Sequence, residues 1–153
     1  MNDEHFTLDT SILVYSVDRA AGDRHAIAKH IMRRASVRPC YLALQAISEF
    51  YAAVTRKQMM PSATAAQVAR DMMDVFQTIP VSASAIRTAL GSAAGGRTSY
   101  WDALLVATAA EAGCTTILSE DLAYGSTLFG MRVLNPFAGG ALAPAAASLL
   151  DAD

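Results

Sequence analysis

A chain of 153 residues, 53% of them hydrophobic, can bury one sizeable core and is short for two domains. Its formal charge of −2 gives no polycationic footprint, so attraction to a polyanion must come from local arginines or bound cations. The most apolar stretch, "WDALLVATAAEAGCTTIL", is interrupted by Asp102, Glu111 and Gly113, and no signal peptide is read, so neither a membrane span nor secretion is expected and the cytoplasm is the default.

In chain order, "HFTL" is a short strand that stops at Asp9, and Thr10 or Ser11 caps a helix through "ILVYSV". A one-sided helix follows over 23–36, with Ala26, Ile27 and Ile31 on its apolar side and a basic back. "CYLA" is a strand candidate, and "LQAISEFYAAVTRKQ" repeats Ile47, Phe50, Tyr51 and Val54 at helical spacing. The spacing of Val68, Met72, Val75, Phe76 and Ile79 predicts a helix over 62–79 capped by Ser62. "PVSASAIRTAL" gives a strand end and a helix closed by Gly91, and 91–99 reads as the flexible loop of the domain. Ser99 caps a strong helix that carries Asp102 in its first turn and ends at Gly113. "TTILS" is a strand, "MRVLNPF" contains another, and the Ala-rich 139–153 is a loose tail or a docked terminal helix after a domain spanning 1–138. Cys40 and Cys114 have neither metal nor redox spacing and read as buried thiols. A mean hydropathy of +0.27 leaves apolar surface for a partner or a second copy of the chain.

Strands alternating with helices imply a mostly parallel sheet covered on both faces, with sites beyond the carboxyl ends of its strands. Asp9 ends the first strand, Glu120 and Asp121 end "TTILS", and Asp102 and Glu49 sit early in their helices. One edge of the sheet can gather these acids. Each also has an ordinary role: Asp9 as a cap, Asp102 as a charge on the helix dipole, Glu49 on a solvated face, and Glu120 and Asp121 in a loop. Clustered carboxylates repel, and a cation between them relieves the repulsion. An oxygen-only donor set suits Mg²⁺ or Mn²⁺ rather than zinc, and metal-assisted phosphoryl chemistry uses such a site.

Rival classes fit less well. A receiver-type signalling domain needs a late lysine, but the lysines are Lys29 and Lys57. A haloacid-dehalogenase-like phosphatase wants a second Asp where Ser11 stands. No P-loop or dinucleotide glycine spacing is present, and His5, His25 and His30 all lie early, away from any serine elbow.

"LDTSILVYSVD", "AISEFYAAV", "SYWDALLVATAAEAGCTTILSEDL" and "GMRVLNPF" together resemble a PIN-domain protein of the bacterial VapC toxin type, over Phe6 to Phe137. The resemblance implies a three-layer α/β/α domain and a Mg²⁺- or Mn²⁺-dependent endoribonuclease that hydrolyses RNA by metal-activated water. By position it assigns Asp9, Glu49, Asp102 and Asp121 as catalytic and metal-binding acids, with Glu120 a weaker neighbour. Ser11 fits the small polar position after the first acid, where it shapes the loop or holds a metal-bound water. Arg97 is then a candidate phosphate contact, and Arg33, Arg34 and Arg38 candidate contacts along the RNA backbone. Cleavage would leave a 5′-phosphate and a 3′-hydroxyl. A cognate antitoxin and a toxin homodimer are the implied partners, and a non-catalytic PIN-like RNA- or protein-binding module is the alternative.

Overall fold

The computed structural model describes residues 4–122 and 127–151. Strands and helices alternate through β1 (Phe6–Leu8), α1 (Thr10–Tyr15), α2 (Asp23–Ala35), β2 (Tyr41–Ala43), α3 (Leu44–Arg56), α4 (Ser62–Val75), β3 (Gln77–Ile79), α5 (Ala83–Ala94), α6 (Tyr100–Glu111) and β4 (Thr116–Leu118). After the acidic loop come β5 (Thr127–Leu128), β6 (Met131–Leu134), β7 (Phe137–Ala138), β8 (Ala141–Leu142) and α7 (Pro144–Asp151).

The central sheet has the order β1-β4-β6-β5, parallel except for β5. A second parallel pair, β2 and β3, adjoins β1 through the Phe6–Cys40 bridge and a 2.6 Å bond from Thr7 Oγ1 to the Tyr41 carbonyl. Every residue of β1 and β4 is buried. Successive side chains of a strand point to opposite faces, so both faces are covered. This is the expected α/β/α fold with a mostly parallel sheet.

Helix α6 is buried at every position from Ala103 to Ala109. A helix apolar on all sides belongs in an interior, and α5 packs on it through Ala85 and Ala89. Much of the apolar content that suggested a partner is therefore spent inside the domain. Cys40 and Cys114 are buried free thiols, as expected.

Several local expectations need correction. Asp9, not Thr10 or Ser11, caps α1, accepting from the Thr10 amide. Pro61 occupies the cap position of α4, and Ser62 makes no capping bond there. That helix stops at Val75, because Phe76 turns extended and residues 77–79 pair with β2. Val75 is consequently exposed although it fits the helical stripe, and Tyr51 is exposed in the same way. In α2 the buried alanines are Ala28 and Ala35, and Ala26 is exposed. Helix α5 passes through Gly91 and ends at Ala94, leaving only a short connection before Ser99.

Of the two states open to the tail, the docked helix is found. Gly139 and Gly140 both have positive φ, as a two-residue primed hairpin turn between β7 and β8 requires. Ala146, Leu149 and Leu150 of α7 then join the main core.

Candidate active site

Register builds the centre of the site. Leu8 of β1 pairs with Leu118 of β4, so the next residues, Asp9 and Ser119, emerge side by side at the carboxyl edge of the sheet. The Asp9 amide donates to the Leu118 carbonyl at 3.0 Å. Ser119 Oγ donates to Asp9 Oδ2 at 2.8 Å and accepts from the amides of Asp121 and Leu122 at 3.1 and 3.2 Å. One buried hydroxyl thus ties the first acid to the loop that carries Asp121. Thr10 N donates to Asp9 Oδ1 at 2.8 Å, and Ser11 Oγ approaches Oδ2 at 3.4 Å.

Asp9 is only 6% exposed. Burial pushes its carboxyl up to about 6, the Ser119 and Thr10 bonds oppose that rise, and the charges of Asp121 and Asp102 add to it.

Helix α3 supplies the second side. Gln45 and Glu49 are four residues apart and share one face, and Lys57 directly follows the last turn. Glu49 Oε1 accepts from Gln45 Nε2 at 3.0 Å and from Thr10 Oγ1 at 3.4 Å. Burial raises the Glu49 carboxyl, the two bonds lower it, and Asp102 raises it again. Glu49 is half-buried, not on a solvated face.

Helix α6 closes the group. Ser99 Oγ accepts from the Asp102 amide at 3.2 Å, the expected cap, and fixes the first turn. The charge of Asp102 bears on Asp9, Glu49 and Asp121 alike. Asp121, exposed on its loop, is raised by partial burial, then by Glu120 and Asp102. The fold therefore brings Asp9, Glu49, Asp102 and Asp121 into one electrostatic neighbourhood.

The other candidates lie elsewhere. Glu120 accepts from Arg24 Nε at 2.6 Å and from the Tyr15 hydroxyl at 2.9 Å, while Arg24 covers the Tyr15 and Phe137 rings. Arg97 folds back on the end of α5, where a Cβ on Gly95 would lie 3.8 Å from its Nε. Arg34 pairs with Asp151 of α7 at 3.1 Å. Arg33 lines a groove between α2 and α4, and Arg38 a separate cleft beside Pro39 and Tyr41.

Sequence reasoning missed Ser119, Gln45 and Lys57, and named Thr10 without its bond to Glu49. Lys57 shares a cleft of about 310 Å³ with Thr10, Ser11, Val14, Tyr15 and Asp121. Its place directly after the helix that carries Glu49 was the available signal. A larger cleft of about 660 Å³, lined by Arg19, His25 and Lys29 among others, contains none of the four acids.

The donor chemistry fits a hard divalent cation: four carboxylates, three of them raised, and no His or Cys. Among the described residues the ion pairs go to Glu120, Asp151 and Glu4, so none of the four acids has a cationic side chain as partner. Their spacing is open. No group of three or more potential ligands among the described residues stands close enough to hold an ion.

A sequence profile described as the PIN domain matches residues 6–126, from β1 past Asp121. The chain belongs to the PIN-domain family. Two solved structures share the PIN fold seen here. One is VapC20 of Mycobacterium tuberculosis, described as a sarcin–ricin loop cleaving toxin, with 18% identity and a TM-score of 0.61 over 76% of this chain and 91% of that one. The other is VapBC2 of Rickettsia felis, bound to a DNA fragment from their promoter, with 12% identity and a TM-score of 0.60 over 84% and 96%. At these identities the likeness is one of fold. No curated protein matches the chain significantly in sequence. No helix among the described residues is long and apolar enough to cross a membrane.

Proposed function

We propose that this PIN-domain chain is a Mg²⁺- or Mn²⁺-dependent endoribonuclease, the toxin of a toxin–antitoxin pair, working in the cytoplasm as a homodimer until an antitoxin binds it. The observation that carries the nuclease reading is Asp9, a buried carboxylate pushed up to about 6 at the end of a parallel strand, with Asp102 and Asp121 bearing on it. A group in that state is costly for the fold and useful to a cation. The toxin assignment leans on the likeness to VapC20, described as a cleaving toxin, and the antitoxin on the likeness to VapBC2.

Asp9, Asp102, Glu49 and Asp121 would hold the ion. When bound, it neutralises phosphate charge and makes water a better nucleophile. The chain's own residues do the rest. Ser119, Thr10 and Ser11 fix the Asp9 carboxylate, and Gln45 and Thr10 fix Glu49. Lys57 meets a phosphate of the strand lying in its cleft. Tyr15 and Arg24 hold Glu120, which sets the direction of the loop carrying Asp121.

The test is cleavage of total and transfer RNA with Mg²⁺ or Mn²⁺, with chelator, and by Asp9→Asn. The expected products carry a 5′-phosphate and a 3′-hydroxyl and vanish in both controls. Cleavage that survives chelator and substitution would refute the metal-dependent reading. A second reading, a PIN-like module that binds RNA or protein without turnover, draws on the open spacing of the acids. Well-folded protein that binds RNA yet cuts none with either metal would favour it.

A further inference from the structure

The acidic edge creates a difficulty for its own substrate. Phosphates approaching four carboxylates are repelled, and the chain as a whole carries a charge of −2. The bound cation and Lys57 answer that charge at the phosphate, but neither gives the neighbouring base a partner.

Trp101 supplies one. It is the sole tryptophan of the chain and is 61% exposed, although the seven residues from Ala103 to Ala109 on the same helix are buried. An indole left in water forgoes the burial that aromatic side chains otherwise bring to a fold. Its position is tied to the acids at two points. It directly precedes Asp102, and its carbonyl accepts from Gln45 Nε2 at 2.9 Å, the same amide that donates to Glu49 at 3.0 Å. Tyr100 meets the indole edge-on, with ring centres 5.0 Å apart and planes at 72°. The main chain at Trp101 is thus held against α3 in the first turn of the helix that carries Asp102, with the ring in solvent.

We propose that Trp101 is a stacking platform for an unpaired nucleobase next to the cleaved phosphate. This rests on the ribonuclease reading. Stacking on an aromatic ring binds any base, because every base has a π-face, and it is how single-stranded RNA is commonly held. A base inside a duplex is already stacked and paired, and cannot lie on the indole. Lys57 gives the strand an ionic contact within the cleft that contains Asp121.

A sole tryptophan makes the test direct. The full chain carrying Asp9→Asn, which blocks turnover, is titrated in Mg²⁺ with a short fluorescein-labelled single-stranded oligoribonucleotide and with the same RNA as a duplex. Tryptophan emission and label anisotropy are both followed. Emission should be quenched by the single strand at the midpoint that anisotropy gives, and far less by the duplex. Adding Trp101→Ala should weaken single-strand binding roughly 5- to 100-fold, while Trp101→Phe keeps most of it. An unchanged thermal midpoint of Trp101→Ala is expected of an exposed residue and checks the fold.

RNA binding that leaves the emission unmoved, or that Trp101→Ala does not weaken, overturns the stacking role and leaves the ribonuclease reading intact. A fall in oligomeric mass of Trp101→Ala by light scattering, with RNA affinity unchanged, assigns the ring to a contact between copies and also overturns it. If wild-type protein neither binds nor cuts any RNA, the ribonuclease reading itself fails.

Discussion

At the scale of single residues, Asp9 sets stability against function. Its carboxyl sits at about 6 in the folded chain, against about 3.9 for an unfolded aspartate. Between those values the folded state keeps a proton that the unfolded state has lost. Stability therefore falls as pH rises through that window and stays lower above it, by up to about 3 kcal/mol. Asn keeps the shape and the cap but removes the charge. Asp9→Asn should abolish RNA cleavage yet melt a few degrees higher than wild type at pH 7.5 without divalent metal, with the gap closing near pH 4. A melting point below wild type at pH 7.5 would contradict the strained-carboxylate account. Ser119 gives a second test. Ser119→Ala strips a donor from Asp9 and leaves the Asp121 and Leu122 amides without it, at a cost of about 1–3 kcal/mol. Losing that donor moves the Asp9 carboxyl higher still, so the acid limb of the pH–rate profile should shift upward and activity should drop about tenfold or more. The roles of these two residues were unequally visible. Asp9 interrupts two apolar segments and is conspicuous in the sequence. Ser119 looks like any serine at a strand end, and only the Leu8–Leu118 register reveals it.

At the scale of elements, the docked terminal helix shows which forces hold a segment in place. Leu149 and Leu150 of α7 are buried, whereas the Arg34–Asp151 pair lies at the surface. Exposed ion pairs contribute about 0–1 kcal/mol, while truncating a buried leucine costs about 2–5 kcal/mol. Leu150→Ala should lower the urea-unfolding free energy by that larger amount and Arg34→Ala by less than about 1 kcal/mol. The reverse order would mean that charge, not burial, docks the helix. The same contrast explains which elements the sequence revealed. Helix α6 is capped by Ser99 and buried from Ala103 to Ala109, so local signals suffice. Strand β3 has three residues, and its Ile79 also fits the helical stripe of α4. Its partner β2 lies more than thirty positions away, so pairing rather than propensity decides the outcome. Strand β5 is two residues long and exists only against β6, beyond the reach of any periodicity.

At the scale of the whole molecule, the acidic edge is charge gathered from four elements: β1 delivers Asp9, α3 Glu49, α6 Asp102 and the loop after β4 Asp121. Folding concentrates like charges that the unfolded chain keeps apart, so an ion that binds the gathered set stabilises the fold by mass action. At a hundred times its dissociation constant the gain is about 2.7 kcal/mol, which for a chain of this size is roughly 5–10 °C in Tm. Tm should therefore rise with Mn²⁺ or Mg²⁺ concentration at pH 7.5 and fall back on adding chelator. Near pH 4.5 the rise should shrink, because the Asp9 carboxyl, at about 6, then holds a proton that competes with the ion, and the upward shifts of Glu49 and Asp121 act in the same direction. Asp9→Asn should blunt the response at both pH values, since it removes the most buried ligand proposed for the ion. A Tm unmoved by millimolar Mn²⁺ at pH 7.5 would mean that the open spacing of the acids does not close on an ion without RNA. Cleavage assays, which supply the RNA, then separate a site completed by its substrate from a site that holds no metal at all.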